Sequence, residues 1–160
     1  MVVAQSILTT SIEGKGGSPM LQGIFGGLAS WGPDFIRLGV AFTFILHGYP
    51  KLFGPKPGPK GFAGYIGSMG FPSPLFFAYA AGITEFVGGV CILLGFLTRF
   101  WALVGAIEFL TIILKVKWSK GFLISNEGWE WDWAILMMLL SLLVTGPGRV
   151  ALDHAIRTGL

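Results

Sequence analysis

Long apolar stretches separated by short polar breaks run through most of this chain. The longest lies between Leu75 and Leu114, and its only polar break is Leu97-Thr98-Arg99. A break of that kind predicts two helices folded back on each other. Similar apolar stretches precede and follow this pair, and each is long enough for a helix that crosses a bilayer. The pattern predicts an all-α, four-helix transmembrane bundle with spans at about 34–53, 75–97, 100–116 and 129–145.

Two shorter segments repeat apolar residues at helical spacing. Residues 20–31 do so before the first span, with glycines between, and residues 62–69 do so between the first two spans. Each segment predicts a short helix lying along the membrane surface. The remaining boundaries are a flexible N-terminal tail at 1–19, a membrane domain at 32–153 and a C-terminal tail at 154–160.

Prolines set the predicted helix ends. Pro33 and Asp34 suit the start of the first span, since proline is favoured at the first helical position and an acidic side chain suits the helix dipole. Pro50 lacks the N–H that would bond the Leu46 carbonyl, so the helix should kink or end near Gly48. An irregular backbone at membrane depth is tolerated only against protein or a wet cavity.

Composition strengthens the membrane prediction. The 160 residues are 53% hydrophobic and only 12% charged, which is unlike an ordinary soluble domain. The net charge is +3, and the basic residues lie mainly between apolar segments, where they suit lipid headgroups. No basic stripe indicates a nucleic-acid partner. We therefore expect an integral membrane protein whose partners include lipids.

Two glutamates are the first candidates for chemistry. Glu85 and Glu108 each lie about 11 residues from the predicted turn, or roughly 16 Å along a helix, near the middle of a bilayer core. Ionisable residues at that depth are costly, and they usually face a bundle interior and mark a functional site. The two carboxyls are predicted to form a cluster, with a shared proton or a bridging base between them.

Three residues of the first span are the candidates for completing that cluster. His47 is predicted to be the bridging base, against the alternative of a histidine that only satisfies hydrogen bonds in the bundle. Lys51 either answers a buried glutamate or reaches lipid headgroups, and the surface interpretation is favoured. Arg37 either joins the site or extends to the membrane edge beside Asp34, and the second interpretation is favoured.

Small residues surround Glu85 on its helix. Ala81, Gly88 and Gly89 lie on the same face, so a flat ring or another helix could approach closely. The functional interpretation makes Gly88 and Gly89 part of a cofactor site. The alternative is a helix-packing seam, which is the ordinary use of such a pattern.

The chain lacks the sequence motifs of several kinds of chemistry. The chain has no Cys-x-x-Cys, no Rossmann or Walker glycine pattern and no zinc signature, and its one cysteine, Cys91, lies inside an apolar stretch. We expect no metal and no nucleotide. Any electron transfer would therefore use a bound quinone or a partner protein.

Several motifs together resemble the DoxX family of small four-helix membrane proteins. They are Arg37-Leu-Gly, His47-Gly-Tyr-Pro-Lys51-Leu, the run from Gly61 to Pro74, Ala81-Gly-Ile-Thr-Glu85-Phe-Val-Gly-Gly, Gly95-Phe-Leu-Thr-Arg99 and Gly146-Pro-Gly-Arg-Val-Ala-Leu-Asp153. The resemblance implies the fold predicted above and, as the leading expectation, a quinone-linked oxidoreductase subunit in a prokaryotic plasma membrane.

The resemblance leaves other functions open. Distant relatives act as membrane chaperones or cargo receptors, so the alternative is a non-catalytic chaperone, scaffold or assembly subunit that holds a partner protein. A third alternative is a small transporter, which four spans could form only as a homo-oligomer. A redox partner protein is expected under the leading hypothesis. On that hypothesis His47, Glu85 and Glu108 are the catalytic residues, and Arg37, Lys51, Gly88 and Gly89 contact the quinone.

Overall fold

The computed structural model describes residues 19–56 and 58–156, and this part of the chain folds into helices and contains no β-strand. The predicted all-α class is therefore confirmed. The flexible tail predicted for residues 1–19 falls outside the described residues, apart from Pro19. Of the predicted C-terminal tail, only residues 154–156 are described.

The chain divides after Ser30 into two compact units. The described part of the first unit contains α1, Pro19–Phe25, and all but the last residue of the 3₁₀ helix Gly26–Trp31. Its large apolar side chains are more than half exposed. The segment predicted at 20–31 is thus helical, and its place at a membrane surface stays a prediction.

Six helices follow in the second unit, and four of them occupy the stretches predicted at about 34–53, 75–97, 100–116 and 129–145, whose place in a membrane stays a prediction. They are α2, Gly32–Leu52; α3, Gly58–Ser68; α4, Pro74–Leu94; α5, Thr98–Thr111; α6, Glu130–Thr145; and α7, Leu152–Ile156. A π-helix, Ile112–Lys117, continues α5 directly. Among the described helices, α4 alone is both long and apolar enough to be a candidate membrane span by length and composition.

Helix α2 passes through Pro50 and ends at Leu52. Of the two outcomes expected from Pro50, a kink or an end near Gly48, the helix therefore does not show the second, and its end agrees with the predicted span at about 34–53. The reason is the position of Pro50 in the last turn, where carbonyls begin to lose their helical partners anyway. The amides of Phe53 and Gly54 bond the carbonyls of Tyr49 and Pro50, at 2.8 and 3.2 Å, and close the end of the helix.

The apolar core lies where the four longer helices meet. Helix α2 packs mainly on α4, α5 packs mainly on α6, and the two pairs are joined through α4 with α5 and α2 with α6. Phe44 and Phe109 stack across the centre with their ring centroids 5.6 Å apart. The core side chains are Val40, Ala41, Phe44, Ile92, Ala102, Ala106, Phe109, Ile113, Ile135, Leu136, Leu139 and Leu142.

Glycines allow α2 and α4 to touch along their backbones. A Cβ atom at Gly48 would overlap the α4 backbone at Glu85 and Phe86, and one at Gly89 would lie 2.8 Å from the Cβ atom of Phe44. Such distances are far below an ordinary contact, so only glycine fits at either position. This close crossing brings the last turn of α2 against the middle of α4.

Candidate functional site

A partly open cavity of about 820 Å³ lies within the second unit. Most of its wall is apolar and comes from α2, α3, α4, α5 and α6. Among its charged and titratable lining residues are two lysines, three acidic residues and a histidine: Lys51, Lys117, Glu85, Glu108, Asp132 and His47. A large, mostly apolar cavity with a few polar groups is the usual form of a small-molecule site.

Lys51 and Glu85 form an ion pair in this wall. The Lys51 ammonium donates a hydrogen bond to the Glu85 carboxylate, and the two side chains are only 18% and 4% exposed. The ammonium also lies 4.8 Å from the centroid of the Phe62 ring, on α3. The favoured prediction, that Lys51 reaches the surface, is therefore wrong. Its place one turn after Gly48 explains the contact, because the close crossing of α2 and α4 brings Lys51 beside Glu85.

Glu108 lies near this ion pair and lacks a partner of its own. It is close enough to Glu85 and Lys51 to interact with both electrostatically. Both of its carboxyl oxygens are buried, and neither has a hydrogen-bond partner in the described part of the chain. Leaving a buried polar group unpaired costs about 1–3 kcal/mol. Such a group is therefore a good indication of a site that a ligand, a water molecule or a proton completes.

His47 also belongs to the cavity wall, although its side chain is exposed. The structure thus brings the three predicted catalytic residues to one cavity. Lys51, rather than His47, contacts Glu85. A histidine at the edge of a cavity is well placed to exchange protons with the surroundings.

Sequence analysis missed a second ion pair in the same wall. The Lys117 ammonium donates to the Asp132 carboxylate at 2.6 Å, and Asp132 is buried. Asp132 lies between two exposed tryptophans at the start of α6. Tryptophans in this position predict a membrane interface, so the sequence gives no indication that the aspartate between them points inward. Asp132 is in the first turn of α6 and Lys117 is at the end of the π-helix. No local sequence pattern indicates that these two residues pair.

Arg37 lies away from the cavity wall, in a polar cluster that we call the end cluster and that consists of Asp34, Arg37 and Asp153. Arg37 is only 4% exposed, so it does not extend outward from the helices, and it pairs with Asp34, the neighbour expected from the sequence. Its guanidinium donates to the Val150 carbonyl and to Asp34, the latter at 3.3 Å. Asp34 also accepts the backbone N–H groups of Arg149 and Val150, at 2.9 and 3.1 Å.

Asp153 completes the end cluster from the C-terminal segment. Its carboxylate accepts the N–H groups of Leu97 and Thr98, at 2.7 and 3.0 Å, and so caps the start of α5. Its own N–H donates to the Gly95 carbonyl at 2.9 Å. The end cluster thus ties the C-terminal segment to α2 and to the turn between α4 and α5.

Gly88 and Gly89 contact neighbouring helices and do not line the cavity. A Cβ atom at Gly88 would lie 2.7 Å from the Trp101 ring, and Gly89 faces α2 at Phe44 and Ile45. The helix-packing interpretation fits this geometry. Of the small residues around Glu85, Ala81 is the one in the cavity wall.

Polar side chains outside the cavity and the end cluster include a further ion pair, and none of the described ones form a metal-binding group. Within residues 19–56 and 58–156, no three His, Cys, Asp or Glu side chains come together as they would to hold a metal ion. On the loop before α6, Lys120 donates to Glu127 at 2.6 Å, and this hydrogen bond lowers the pKa of Glu127 from its ordinary value of 4.5. That pair is exposed and lies apart from the cavity.

Comparison with known proteins gives the family. The DoxX family model matches residues 32–118, which is more than half of the chain. The chain belongs to the DoxX family. The match covers α2 to α5 and the π-helix, and thus includes Lys51, Glu85 and Glu108. Membership of the DoxX family, together with relatives named as membrane proteins, shows that this DoxX protein is a membrane protein.

Relatives of this DoxX protein occur in several bacteria. It is 30% identical over 128 residues to the Bacillus subtilis protein named "Putative oxidoreductase CatD", covering 80% of this chain and 89% of the relative. It is 35% identical over 130 residues to the Mycobacterium tuberculosis "Uncharacterized membrane protein Rv3486", covering 74% and 77% of the two chains. It is 30% identical over 133 residues to the Escherichia coli "Inner membrane protein YphA", covering 74% and 85%. No solved structure matches.

Proposed function

We propose that this DoxX protein crosses the membrane four times, through α2, α4, α5 with its π-helix, and α6. Helix α2 has 21 residues and α5 is 14 residues long with six more in the π-helix. At ~1.5 Å per residue these lengths approach the roughly 30 Å of a bilayer core. Large apolar side chains are exposed on the outer faces of all four, among them Phe35, Phe76, Phe100 and Val144. Such surfaces suit lipid rather than water.

We further propose that the cavity binds a quinone and that the protein acts as a quinone-linked oxidoreductase subunit. The observation that carries this proposal is the buried, unpartnered Glu108 carboxyl in the wall of a mostly apolar cavity. A flat apolar ring with oxygen atoms at its two ends suits such a wall, because the ring packs on apolar side chains while its oxygens meet Glu108 and Lys51. The relative named as an oxidoreductase supports the same class of function.

The polar groups complement both redox states of a quinone. The oxidised ring accepts hydrogen bonds, which the Lys51 ammonium and a protonated Glu108 can donate. The reduced ring carries hydroxyl groups, which an ionised Glu108 can accept. Reduction takes up two electrons and two protons, and we propose that Glu108 and His47 transfer the protons. A redox partner protein supplies the electrons.

Quinone binding by the purified protein tests this proposal. We suggest titrating the protein, reconstituted in lipid nanodiscs, with a tailless naphthoquinone in its oxidised and its reduced form and measuring the quenching of its tryptophan fluorescence. We expect saturable binding, and we expect Glu108→Gln to raise the Kd of the reduced quinone by about tenfold, because a neutral amide oxygen accepts the ring hydroxyl more weakly than a carboxylate does.

Glu127→Gln is the matched control, because it makes the same chemical change on an exposed loop. It should leave Kd unchanged. Two results would contradict the proposal: wild-type protein that binds no quinone, or a Glu108→Gln protein that binds the reduced quinone as tightly as wild type.

A further inference from the structure

Some residues in the cavity wall are also strongly exposed on the outside of the helices. Phe42 and Leu46 on α2 are 68% and 57% exposed, Ile107 on α5 is 59% exposed and Trp131 on α6 is 63% exposed. Because the cavity is only partly enclosed, side chains that line it and are this exposed lie along its open side. The cavity therefore opens through the side of the protein.

The position of these residues along their helices indicates what the openings face. Phe42 lies at the middle of α2, and Ile107 lies near the middle of the rod formed by α5 and its π-helix. If these helices span the membrane, both residues lie near the centre of the bilayer. Their side chains are apolar, so the openings at that depth meet lipid acyl chains rather than water.

At the end of the cavity nearest the connecting loops, the wall comes from α3 and from the loop before α6. Phe62 and Ile66 of α3 and Ile124 of the loop before α6 line the wall there, and Ile66 is almost completely buried. The charged side chains of Lys51, Lys117 and Asp132 also line the wall toward this end, so a polar ring suits the loop end and an apolar part of the ligand suits the side openings. A ligand dissolved in the bilayer meets the side openings directly.

We infer that the ligand of this cavity carries a long apolar tail, and that the tail leaves the cavity past Leu46 and Ile107 into the bilayer. This inference rests on the proposed function, since the polar ring occupies the wall at Lys51, Glu85 and Glu108. It adds the class of ligand, an isoprenoid or alkyl quinone of the membrane pool. It also adds the route, which is lateral entry from lipid.

Blocking the openings tests the route. Leu46→Trp and Ile107→Trp enlarge the two side chains at the openings, and the matched controls Leu38→Trp and Leu110→Trp enlarge exposed leucines on the same helices that do not line the cavity. Each protein is reconstituted in nanodiscs. It is then equilibrated either with a tailless naphthoquinone or with the same ring carrying a four-isoprenoid tail. Quinone is quantified after extraction, and the amount that empty nanodiscs of the same lipid take up is subtracted to give the quinone bound to protein.

We expect Leu46→Trp and Ile107→Trp to weaken binding of the tailed quinone by about tenfold and to leave binding of the tailless quinone within about twofold of wild type, with the controls unchanged for both. If the two variants weaken both probes equally, or neither, the lateral route is wrong while the quinone site stands. If wild type binds neither probe, the proposed function itself fails. Equal melting temperatures of variants and controls show that folding is not the cause.

Discussion

The end cluster and the cavity both hold buried carboxyls, and Glu108 in the cavity differs from those of the end cluster in what it bonds. At the end cluster, Asp34 and Asp153 each accept two backbone N–H groups, and Asp34 also pairs with Arg37. In the cavity, Glu108 has no partner among the described residues. Charges that bond the backbone hold a fold together, whereas a charge that faces a cavity without a partner is available to a ligand. Burial alone therefore does not separate structural from functional carboxyls.

Removing Asp34 should have the largest effect on stability. Asp34→Ala leaves the Arg37 guanidinium buried without its carboxylate and leaves two backbone N–H groups unpaired. Breaking a buried ion pair from one side costs about 3–5 kcal/mol. We expect a large fall in the thermal unfolding midpoint in detergent, or loss of folded protein. Unchanged stability would show that the end cluster is not structural and would remove the contrast with the cavity.

Filling the crossing of α2 and α4 should have an intermediate effect. Gly48→Ala would force a methyl group onto the α4 backbone, and overpacking of this kind costs about 1–3 kcal/mol. Gly39→Ala on the same helix is the matched control, because a Cβ atom there meets nothing within 4 Å. Thermal unfolding should separate the two. Equal midpoints would show that the helices can move apart freely.

Replacing Glu108 should have the smallest effect on stability. This prediction tests most directly whether Glu108 differs from the structural carboxyls of the end cluster. Glu108→Gln keeps the shape of the side chain and removes no hydrogen bond that the described residues make, so we expect a change within about 0.5 kcal/mol. Its unfolding midpoint should equal that of Glu127→Gln, while quinone binding separates the two proteins. A loss of stability as large as that of Asp34→Ala would make Glu108 a structural residue and favour a non-catalytic scaffold.

Sequence patterns predicted the helices well because long apolar stretches bounded by proline and glycine leave few alternatives. The first span, predicted to reach about residue 53, agrees with the end of α2 at Leu52, and Pro50 does not shorten the helix because it lies in the last turn. The equal distance of Glu85 and Glu108 from the turn predicted that both face one interior, and both do line one cavity. That inference needed only helical rise and one tight turn.

Side-chain partners were harder to predict because they depend on contacts distant along the chain. Arg37 bonds Val150, 113 positions away, and no local pattern indicates that distance. Sequence left two alternatives for Lys51, a buried glutamate or lipid headgroups, and the backbone contact of α2 with α4 at Gly48 is what brings it to Glu85. Asp132 was missed because Trp131 and Trp133 beside it predict a membrane interface, and that prediction applies only to the outer face of α6.

The π-helix at the end of α5 has a consequence for the direction in which Lys117 points. Glu108 and Lys117 are nine positions apart, which in an uninterrupted α-helix is about two and a half turns and would set them on opposite sides of the rod. The wider turns of Ile112–Lys117 hold more residues each, so the angle between the two side chains closes. A change in helical phase within one continuous rod thus lets that rod present both a carboxyl group and an ammonium group to the same cavity.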